Sequence, residues 1–344
     1  MPSRARPSRV SRPVSVIVPC YNEAETIGWL LDALARQDIG LERLEVLVAD
    51  GMSEDSTRKV VQQFSEARSD LSVRIIDNPT RSIPAALNRA IEASQGQFLV
   101  RLDAHSVPAE DYVRRCLEVL QASEAPNVGG VWEILPGGRG WIATAIARAA
   151  SHPLGAGDAR YRIRGQAGEV DTVPFGAFRR EWVDRVGRFD ETLLANEDYE
   201  LNYRLRRAGG RIWFDPSIRS TYFARKSLGE LWRQYYRYGY WKARMLLRHP
   251  GSLRWRQAVP PLFVLLTLAG LVAAPWWPPA RWALGIEWGA YVLVLALAAI
   301  LESVRNRSIA LIVGLPASWG VMHIAWGTAF WHGWFEGIGE RSRT

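Results

Sequence analysis

Strand and helix patterns alternate between residues 14 and 105, and this alternation restricts the fold more than any other feature of the sequence. Four short segments are apolar and rich in β-branched residues, as buried strands are: residues 14–19, 44–49, 73–76 and 98–102. The segments that separate them have helical periodicity. Strands and helices that alternate in this way form βαβ units around a parallel sheet. We therefore predict an α/β fold with a mostly parallel central sheet flanked by helices.

Polar side chains follow the ends of these predicted strands. Tyr21 and Glu23 follow the first strand, Asp50 follows the second, and Asp103 and His105 follow the fourth. Asp103 and His105 are two residues apart, so in an extended chain they point the same way. The carboxyl ends of parallel strands meet where open α/β sheets bind ligands, and carboxylate and imidazole suit Mn²⁺ or Mg²⁺ holding a diphosphate. The alternative is an ordinary strand-to-loop exit with a polar cap.

Two common nucleotide-binding signatures are absent from the sequence. No GxGxxG follows the first strand, and no GxxxxGK[ST] occurs, so the usual dinucleotide and P-loop folds are disfavoured. The two cysteines, Cys20 and Cys116, are not spaced as CxxC, which argues against a disulfide framework or a zinc site. The nucleotide site predicted here must therefore be of another type.

Four motifs taken together resemble the family 2 glycosyltransferases of the GT-A fold. They lie at residues 16–23, 50–57, 103–105 and 196–201, in the order and at the spacing of that family, and the resemblance covers about residues 14–225. Residues 101–105 and 173–178 look most like the membrane-anchored glucosyltransferases of succinoglycan-type exopolysaccharide synthesis. The resemblance implies a direct displacement that inverts the anomeric carbon.

The resemblance also implies roles for individual residues. A nucleotide-sugar pocket would be lined by Pro19, Tyr21, Glu23, Asp50 and Asp103, and Arg81, just before a predicted helix, is a further candidate for phosphate or a solvated loop residue. Asp103 and His105 would hold the metal, and Asp198, with Glu197 beside it, would be the catalytic base. Acidic residues also favour the first turn of a helix for electrostatic reasons alone, which leaves a capping role open for Glu197 and Asp198.

His105 departs from the family pattern, which has Asp-x-Asp at this strand end. Polypeptide N-acetylgalactosaminyltransferases are similar in having Asp-x-His, in which the histidine binds manganese. Imidazole is a competent ligand for such metals, so we expect a divalent cation, with Mn²⁺ favoured over Mg²⁺.

Three residues are candidates for the acceptor side. Phe175 is suited either to packing against a sugar ring or to the core. Gln234 and Arg237 lie in a segment that resembles the Gln-x-x-Arg-Trp motif of processive family members, with Tyr238 in place of the tryptophan. The same segment mixes aromatic and cationic residues, which also predicts helices at a membrane interface.

The C-terminal part of the chain has the character of a membrane protein. Twelve of the 16 tryptophans lie at or beyond Trp213, and three apolar segments, residues 259–277, 282–301 and 309–330, are each near the ~20 residues that cross a bilayer. We therefore predict five regions: a disordered basic tail (1–12), the GT-A domain (13–225), interfacial amphipathic helices (226–257), a transmembrane region of about three spans (258–335) and a tail (336–344).

The distribution of arginines predicts an orientation. Arg254 and Arg256 precede the first apolar segment, and Arg305 and Arg307 follow the second. Only Arg281 lies between the first and the second segment. The positive-inside rule then places the GT-A domain in the cytoplasm, on a multi-pass protein of the inner membrane. Three spans would leave residues 341 and 343, both arginines, outside, so the third segment is alternatively re-entrant. The net charge of +8 is concentrated in the N-terminal tail and before the apolar segments, which favours a membrane surface over nucleic acid.

We predict a glycosyltransferase that moves a hexose, glucose by the narrower resemblance, from a UDP-sugar to a lipid-linked saccharide. One alternative is direct transfer to a polyprenyl phosphate. An alternative of another class is a membrane scaffold that binds a nucleotide-sugar without turnover, although Asp50, Asp103, Glu197 and Asp198 are all present. The sequence does not indicate an oligomeric state.

Overall fold

The computed structural model describes residues 13–341, which form two compact units. The first unit contains residues 13–132, 165–192 and 197–221, and the second contains residues 133–164, 193–196 and 222–341. The predicted basic tail (1–12) and the last three residues of the predicted C-terminal tail lie outside the described residues.

The strands belong to one mixed sheet. They are β1 (Val14–Cys20), β2 (Leu44–Asp50), β3 (Ser72–Asp77), β4 (Phe98–Arg101), β5 (Val107–Pro108), β6 (Asn127–Pro136), β7 (Gly168–Val170), β8 (Ala177–Arg179) and β9 (Ile212–Ala224). Their order is β3-β2-β1-β4-β8-β6-β9-β5, and β7 pairs with β9.

The helices alternate with the first strands and then dominate the C-terminal part. They are α1 (Ile27–Ala35), α2 (Thr57–Ala67), α3 (Ile83–Ala93), α4 (Tyr112–Ser123), α5 (Trp141–Ala150), α6 (Pro153–Ala156), α7 (Arg160–Ile163), α8 (Arg180–Val186), α9 (Glu197–Arg207), α10 (Leu228–Arg248), α11 (Trp255–Ala273), α12 (Pro278–Asn306) and α13 (Ala310–Arg341).

The predicted parallel sheet is confirmed for β3, β2, β1 and β4. Every residue of β1 and β2 is buried, as expected of strands covered by helices on both faces. β8 pairs antiparallel with both β4 and β6, which makes the other half of the sheet mixed. In the parallel half Cys20 pairs with Asp50, and Asp50 pairs with Asp77, so these strands end on one level.

The second unit is built around α13. Residues 228–248 form one continuous helix, α10, where the sequence predicted a pair of interfacial helices. α13 is also continuous and reaches Arg341, so residues 336–341 are helical and do not form a tail. Pro316 lies inside this helix without ending it.

The boundary between the units differs from the predicted domain boundary at residue 225. Residues 133–164, which we assigned to the GT-A domain, belong to the second unit because α5 packs on α13. A Cβ added to Gly314 would lie 2.5 Å from the Cβ of Ala145, and Trp319 Nε1 donates a hydrogen bond to Ala149 O at 3.4 Å. Small side chains on both helices permit this close contact.

Three helices of the second unit, α11, α12 and α13, are long and apolar enough to cross a membrane. α11 and α12 pair through Gly270 and Leu284, and Thr267 Oγ1 donates to Glu287 Oε1 at 3.1 Å. The Glu287 carboxylate, which lies within an apolar stretch, thus has a hydrogen-bond partner on the neighbouring helix, as polar groups in membrane segments require. These three helices indicate that the protein is associated with a membrane.

Candidate active site

The site lies in the first unit, at the carboxyl ends of the parallel strands. The loops that follow β1, β2 and β3 each contain a non-glycine residue in the left-handed region: Asn22 (φ 54°), Met52 (φ 58°) and Arg81 (φ 56°). Such backbone is unfavourable for residues other than glycine and concentrates at functional sites. The three loops therefore mark the same edge of the sheet that the sequence indicated.

Asp50 is held rigidly at the end of β2. Its side chain is 1 % exposed, and Ser53 N donates to its Oδ2 at 3.0 Å. Arg58 Nη1 donates to Asp50 Oδ2 at 2.9 Å and to Asp77 Oδ1 at 2.8 Å, which ties the ends of β2 and β3 together. We had not identified Arg58, whose position on the first turns of α2 gives no sequence signal of this contact.

Tyr21 and Arg81 form an exposed pair beside Asp50. The guanidinium of Arg81 lies 5.1 Å from the centre of the Tyr21 ring, and its Nη1 donates to the Tyr21 hydroxyl at 3.1 Å. Arg81 Nη2 also donates to Glu54 Oε1 at 2.8 Å. Tyr21 remains 39 % exposed, so an aromatic face and a cation are both available to a ligand. Pro19, in contrast, is buried within β1 opposite Ala49 and shapes the strand end from inside.

Glu23 and His105 are in direct contact. His105 Nδ1 lies 3.0 Å from Glu23 Oε1. Burial of the Glu23 carboxyl by itself raises its pKa, but the hydrogen bond and the charge of His105 outweigh burial and hold the pKa below its ordinary value. A carboxylate that orients a histidine in this way is a usual feature of histidines that bind metals.

Arg101 joins the end of β4 to the start of α9. It is 4 % exposed, and its Nη2 lies 3.2 Å from Asp103 Oδ1 and 3.1 Å from Glu197 Oε1, while its Nη1 contacts Asp198 Oδ1. One guanidinium therefore faces three carboxylates. The sequence analysis assigned no role to Arg101, which lies in the motif at residues 101–105. A charged residue at the end of an apolar strand nevertheless indicates a buried charge that needs a partner.

The pKa of the Asp198 carboxyl is raised above that of an ordinary aspartate. Burial is the largest influence on it and, together with repulsion from Glu197 and Asp103, outweighs the attraction of Arg101, which raises the pKa of Asp198 to about 7. Its side chain keeps 22 % exposure, whereas that of Glu197 is 8 % exposed. Of the two acids, Asp198 is the one that a substrate reaches more easily.

Hydrogen bonds along α9 hold these two acids in position. Arg204 donates from Nε to Glu200 Oε1 at 2.6 Å, and its Nη1 donates to Val186 O at 2.7 Å. Asn127 Nδ2 donates to Asn202 Oδ1 at 2.6 Å, which fixes the helix to β6. Glu197 and Asp198 also occupy the first turn, where acids favour the positive helix end, so the capping role and the site role coexist.

The donor set at β4 suits a divalent cation that is shared with a diphosphate. The side chains of Asp103 and His105 are 27 % and 32 % exposed, and Asp103 uses Oδ1 for Arg101. Among residues 13–341 no group of three or more His, Cys, Asp or Glu side chains is arranged as a complete metal site.

The acceptor-side candidates have different positions. Phe175 is 3 % exposed and packs at 5.4 Å from the ring of Trp132, so it belongs to the core and offers no face to a sugar. Gln234, in the second unit, donates to the hydroxyls of Tyr222 at 3.0 Å and Tyr238 at 3.2 Å.

Arg237 is the remaining candidate in the second unit. Its Nη2 donates to the backbone oxygen of Leu194.

Comparisons with known proteins agree with this description. The family model described as "Glycosyl transferase family 2" matches residues 15–187. The succinoglycan biosynthesis protein ExoA of Rhizobium meliloti is 31 % identical over 322 residues, which cover 92 % of this chain and 93 % of that protein. A dolichyl N-acetyl-alpha-D-glucosaminyl phosphate 3-beta-D-2,3-diacetamido-2,3-dideoxy-beta-D-glucuronosyltransferase of Methanococcus voltae is 27 % identical over 74 % of this chain and 80 % of its own length.

Solved structures share the fold at low identity. The mannosyltransferase PcManGT of Pyrobaculum calidifontis, in complex with GDP-Man and Mn²⁺, has a TM-score of 0.64 and 20 % identity and covers 98 % of this chain and 91 % of its own. TarS of S. aureus, in complex with UDP-GlcNAc, has a TM-score of 0.52 and 18 % identity. The match covers 89 % of this chain and 90 % of the TarS chain.

Proposed function

This chain belongs to glycosyl transferase family 2, and we propose that it is an inverting hexosyltransferase that moves glucose from UDP-glucose to a lipid-linked saccharide during polysaccharide synthesis. One observation carries the proposal: Arg101 brings the strand-end Asp103 and the helix-start acids Glu197 and Asp198 into one cluster. A leaving diphosphate and an acceptor hydroxyl need such groups within reach of each other. The relative named for succinoglycan biosynthesis supports the choice of polysaccharide synthesis.

The exposed pair formed by Tyr21 and Arg81 binds the donor in this proposal. The ring of Tyr21 packs against the uracil. Arg81 breaks its hydrogen bond with Glu54 and binds the phosphates of the donor instead. Asp50 lies at the bottom of the nucleotide pocket, where Ser53 N and Arg58 Nη1 donate hydrogen bonds to its carboxylate and hold it in place. Pro19 and Glu23 complete the pocket from β1 and the loop that follows.

Asp103 and His105 hold a divalent cation, Mn²⁺ in preference to Mg²⁺, which when bound neutralises charge on the diphosphate. Glu23 orients the His105 ring through the 3.0 Å contact. Arg101 holds one oxygen of Asp103 in place, so the carboxylate is oriented before any ligand arrives.

Asp198 accepts the proton of the acceptor hydroxyl. As the acceptor oxygen bonds to the anomeric carbon, the bond from that carbon to the diphosphate oxygen breaks and its electron pair leaves with UDP. A carboxyl whose pKa is raised to about 7 is a stronger base than an ordinary aspartate and is still ionised in a useful fraction near neutral pH. Glu197 retains Arg101 in place. Gln234 and Arg237 contribute to acceptor binding.

We further propose that the enzyme lies in the inner membrane with its catalytic unit in the cytoplasm. Arg254, Arg256, Arg305 and Arg307 flank the first two apolar helices on one side, and the positive-inside rule assigns that side to the cytoplasm. UDP-sugars are supplied there, and a lipid-linked acceptor stays within the same bilayer.

The test is UDP release by purified protein in membranes, with Mn²⁺, a panel of UDP-sugars and a lipid extract that a known transferase can use. Wild type is compared with Asp198→Asn and with Asp70→Asn, which changes an exposed aspartate paired with Arg68. We expect release with UDP-glucose, unchanged in Asp70→Asn and reduced to a small residual rate in Asp198→Asn with UDP binding retained. Equal release by wild type and Asp198→Asn would reject Asp198 as the base. Donor binding without release in any variant would favour the scaffold function.

A second candidate acceptor is a polyprenyl phosphate itself, whereas the Methanococcus voltae relative is named for transfer to a sugar already linked to dolichyl phosphate, an acceptor of the first kind. A phosphate acceptor is already ionised and needs no base, so Asp198→Asn would retain most of its activity on it. Mass spectrometry of the lipid product separates the two acceptors, because a sugar phosphodiester is cleaved by mild acid and an O-glycoside of a saccharide is not.

A further inference from the structure

α13 satisfies the length and composition of a membrane span, but one of its neighbours in the second unit is the charged helix α10. Three positions spaced by four residues, His332, Glu336 and Glu340, face α10, where the partners are also spaced by four residues. Tyr236 OH lies 2.9 Å from His332 Nδ1, Tyr240 OH donates to Glu336 Oε2 at 2.9 Å, and Arg244 pairs with Glu340. We call this set of three pairs the polar ladder.

Glycines bring the two helix backbones together along the ladder. A Cβ at Gly333 would lie 2.4 Å from Tyr240 O, and a Cβ at Gly239 would lie 2.3 Å from Trp326 O. A Cβ at Gly337 would lie 2.4 Å from Leu247 Cδ1. The pairs advance in the same direction on both helices, so α10 and α13 are parallel and in contact over residues 326–341 of α13.

α10 cannot enter the hydrocarbon of a bilayer. Its 21 residues include four arginines and a lysine: Arg233, Arg237, Lys242, Arg244 and Arg248. Residues 326–341 of α13 are packed against this helix and share its environment. What remains is residues 310–325, about 24 Å of helix, which is shorter than the ~30 Å of hydrocarbon that a span must cross.

The remaining part of α13 is also covered by protein. Gly314 and Trp319 contact α5, and His323 Nε2 lies 2.7 Å from Leu154 O in α6. The exposed residues of α5 are Trp141, Thr144 and Arg148. In the most apolar 18-residue stretch of each helix, the share buried inside the protein is 44 % for α13, compared with 11 % for α11 and 11 % for α12.

α11 and α12, in contrast, present apolar side chains outwards. Leu266, Leu271 and Val272 of α11 are 53 %, 57 % and 68 % exposed. The turn between the helices carries two exposed tryptophans, Trp276 and Trp277, and the start of α12 carries Arg281 and the exposed Trp282. Exposed tryptophans next to a cation are characteristic of the level of the lipid head groups.

We propose that, among residues 13–341, α11 and α12 are the only helices that cross the membrane. α13 packs along α10 and against the hairpin, where Trp326 and Trp331 donate to backbone oxygens of α11 and His323 lies 2.9 Å from the Tyr291 hydroxyl of α12, and it does not cross the bilayer. The partner of this surface is therefore a lipid bilayer, which the hairpin crosses twice. The C-terminus then lies on the same side as the residues that precede α11. Arg341 joins Arg254, Arg256, Arg305 and Arg307 on that side, which removes the conflict that three spans create with the positive-inside rule. The proposal does not depend on glycosyl transfer.

The experiment is labelling of single introduced cysteines with a membrane-impermeant maleimide, in sealed right-side-out and inside-out vesicles that contain the full chain. Three variants are suitable: Gly229→Cys before the hairpin, Trp276→Cys in its turn and Gly339→Cys near the end of α13. Gly229 and Gly339 have no heavy atom within 4 Å of an added Cβ, and Trp276 is 80 % exposed. The unsubstituted protein is the background control because Cys20 and Cys116 are both buried.

We expect Gly229→Cys and Gly339→Cys to be labelled in the same vesicle orientation and Trp276→Cys only in the opposite one. Labelling of Gly339→Cys on the side opposite to Gly229→Cys would overturn the proposal and establish three spans. Labelling of Trp276→Cys on the same side as Gly229→Cys, or from neither side before detergent is added, would overturn the double crossing. Labelling of all three variants in detergent confirms that each cysteine is reactive.

Discussion

Arg101 Nη2 lies 3.1 Å from Glu197 Oε1, and this ion pair connects the end of a central strand to the first turn of a helix from a distant part of the chain. Both side chains are buried, at 5 % and 8 % exposure. The same guanidinium also contacts Asp103 and Asp198. The carboxylate assigned to the diphosphate side and the carboxylate assigned to the acceptor side therefore share one cation.

Arg101→Met is expected to lower both stability and activity. Removal of the guanidinium leaves three carboxylates together, and breaking a buried ion pair costs about 3–5 kcal/mol of unfolding free energy. Arg101→Lys keeps the charge but not the planar fork, so we expect a smaller loss. Thermal unfolding in detergent measures the first effect, and UDP release at a temperature where the variants remain folded measures the second.

The matched control for this series is Arg36→Met, which removes an exposed arginine that is 3.7 Å from Glu110. Exposed pairs of this kind contribute less than about 1 kcal/mol. A loss in Arg101→Met no greater than that in Arg36→Met would show that the cluster does not depend on its cation.

The rate of glycosyl transfer is expected to rise with pH through the neutral range. A base must be ionised to accept a proton, and the pKa of Asp198 is raised to about 7, so kcat/KM should fall as the pH drops below about 7. With a base of ordinary aspartate pKa, kcat/KM would not change until the pH fell to about 4. Initial rates with buffers of constant ionic strength measure this profile.

The residual activity of Asp198→Asn is the control for the pH profile. If the fall below neutral pH belongs to Asp198, the residual rate of the variant will be independent of pH in that range. A variant that retains the same fall would assign the titration to another group.

The same raised pKa predicts the sign of a stability effect. A carboxyl that holds its proton more tightly in the folded state than in the unfolded state stabilises the fold fully below its unfolded pKa. The pKa of Asp198 is raised from 3.8 to about 7, so this contribution is lost as the pH rises between those values. The difference in melting temperature between wild type and Asp198→Asn should therefore change across that window. A difference that is constant from pH 4 to pH 7 would contradict the shift.

His105→Asp is expected to change the preference for metal. The substitution restores the Asp-x-Asp pattern. It replaces an imidazole, which favours Mn²⁺ over Mg²⁺, by a carboxylate, which binds both cations. It also places a second carboxylate near Glu23, which now contacts the histidine. We expect Mn²⁺ affinity in the presence of UDP, measured by electron paramagnetic resonance, to fall, and the ratio of Mn²⁺- to Mg²⁺-supported activity to fall with it. An unchanged ratio would argue that His105 does not bind the metal.

Gly333→Ala is expected to destabilise the second unit. The added methyl group would lie 2.4 Å from Tyr240 O, and overpacking of this kind costs about 1–3 kcal/mol. Gly339→Ala is the matched change in the same helix, where the added Cβ meets nothing within 4 Å, and it should stabilise the helix by about 0.5–1 kcal/mol. The two changes in melting temperature should therefore have opposite signs. Equal shifts would indicate that α10 and α13 are not in close contact.

Much of the first unit was predictable because its determinants are local. A strand that is buried on both faces has a short apolar pattern, and its end is marked by the first polar residue, as at Asp50 and Asp103. The motif at residues 196–201 marked the acids of α9. These features gave the parallel half of the sheet, the family and the edge at which the site lies.

Other features depend on contacts between residues far apart in the chain. The sequence carries no sign that Arg58 joins Asp50 to Asp77, that His105 contacts Glu23, or that Phe175 is buried against Trp132. The antiparallel half of the sheet likewise depends on which strands meet across long loops.

The sequence by itself determined the α/β pattern, the acidic strand ends and three apolar helices, because periodicity and the type of residue at a strand end are local properties. Only the tertiary structure decided that one buried guanidinium joins Asp103, Glu197 and Asp198, and that α13 packs against the charged helix α10. The reason is that hydropathy describes each helix separately, whereas burial of a charge and the environment of a helix are set by the neighbours that the fold brings to them.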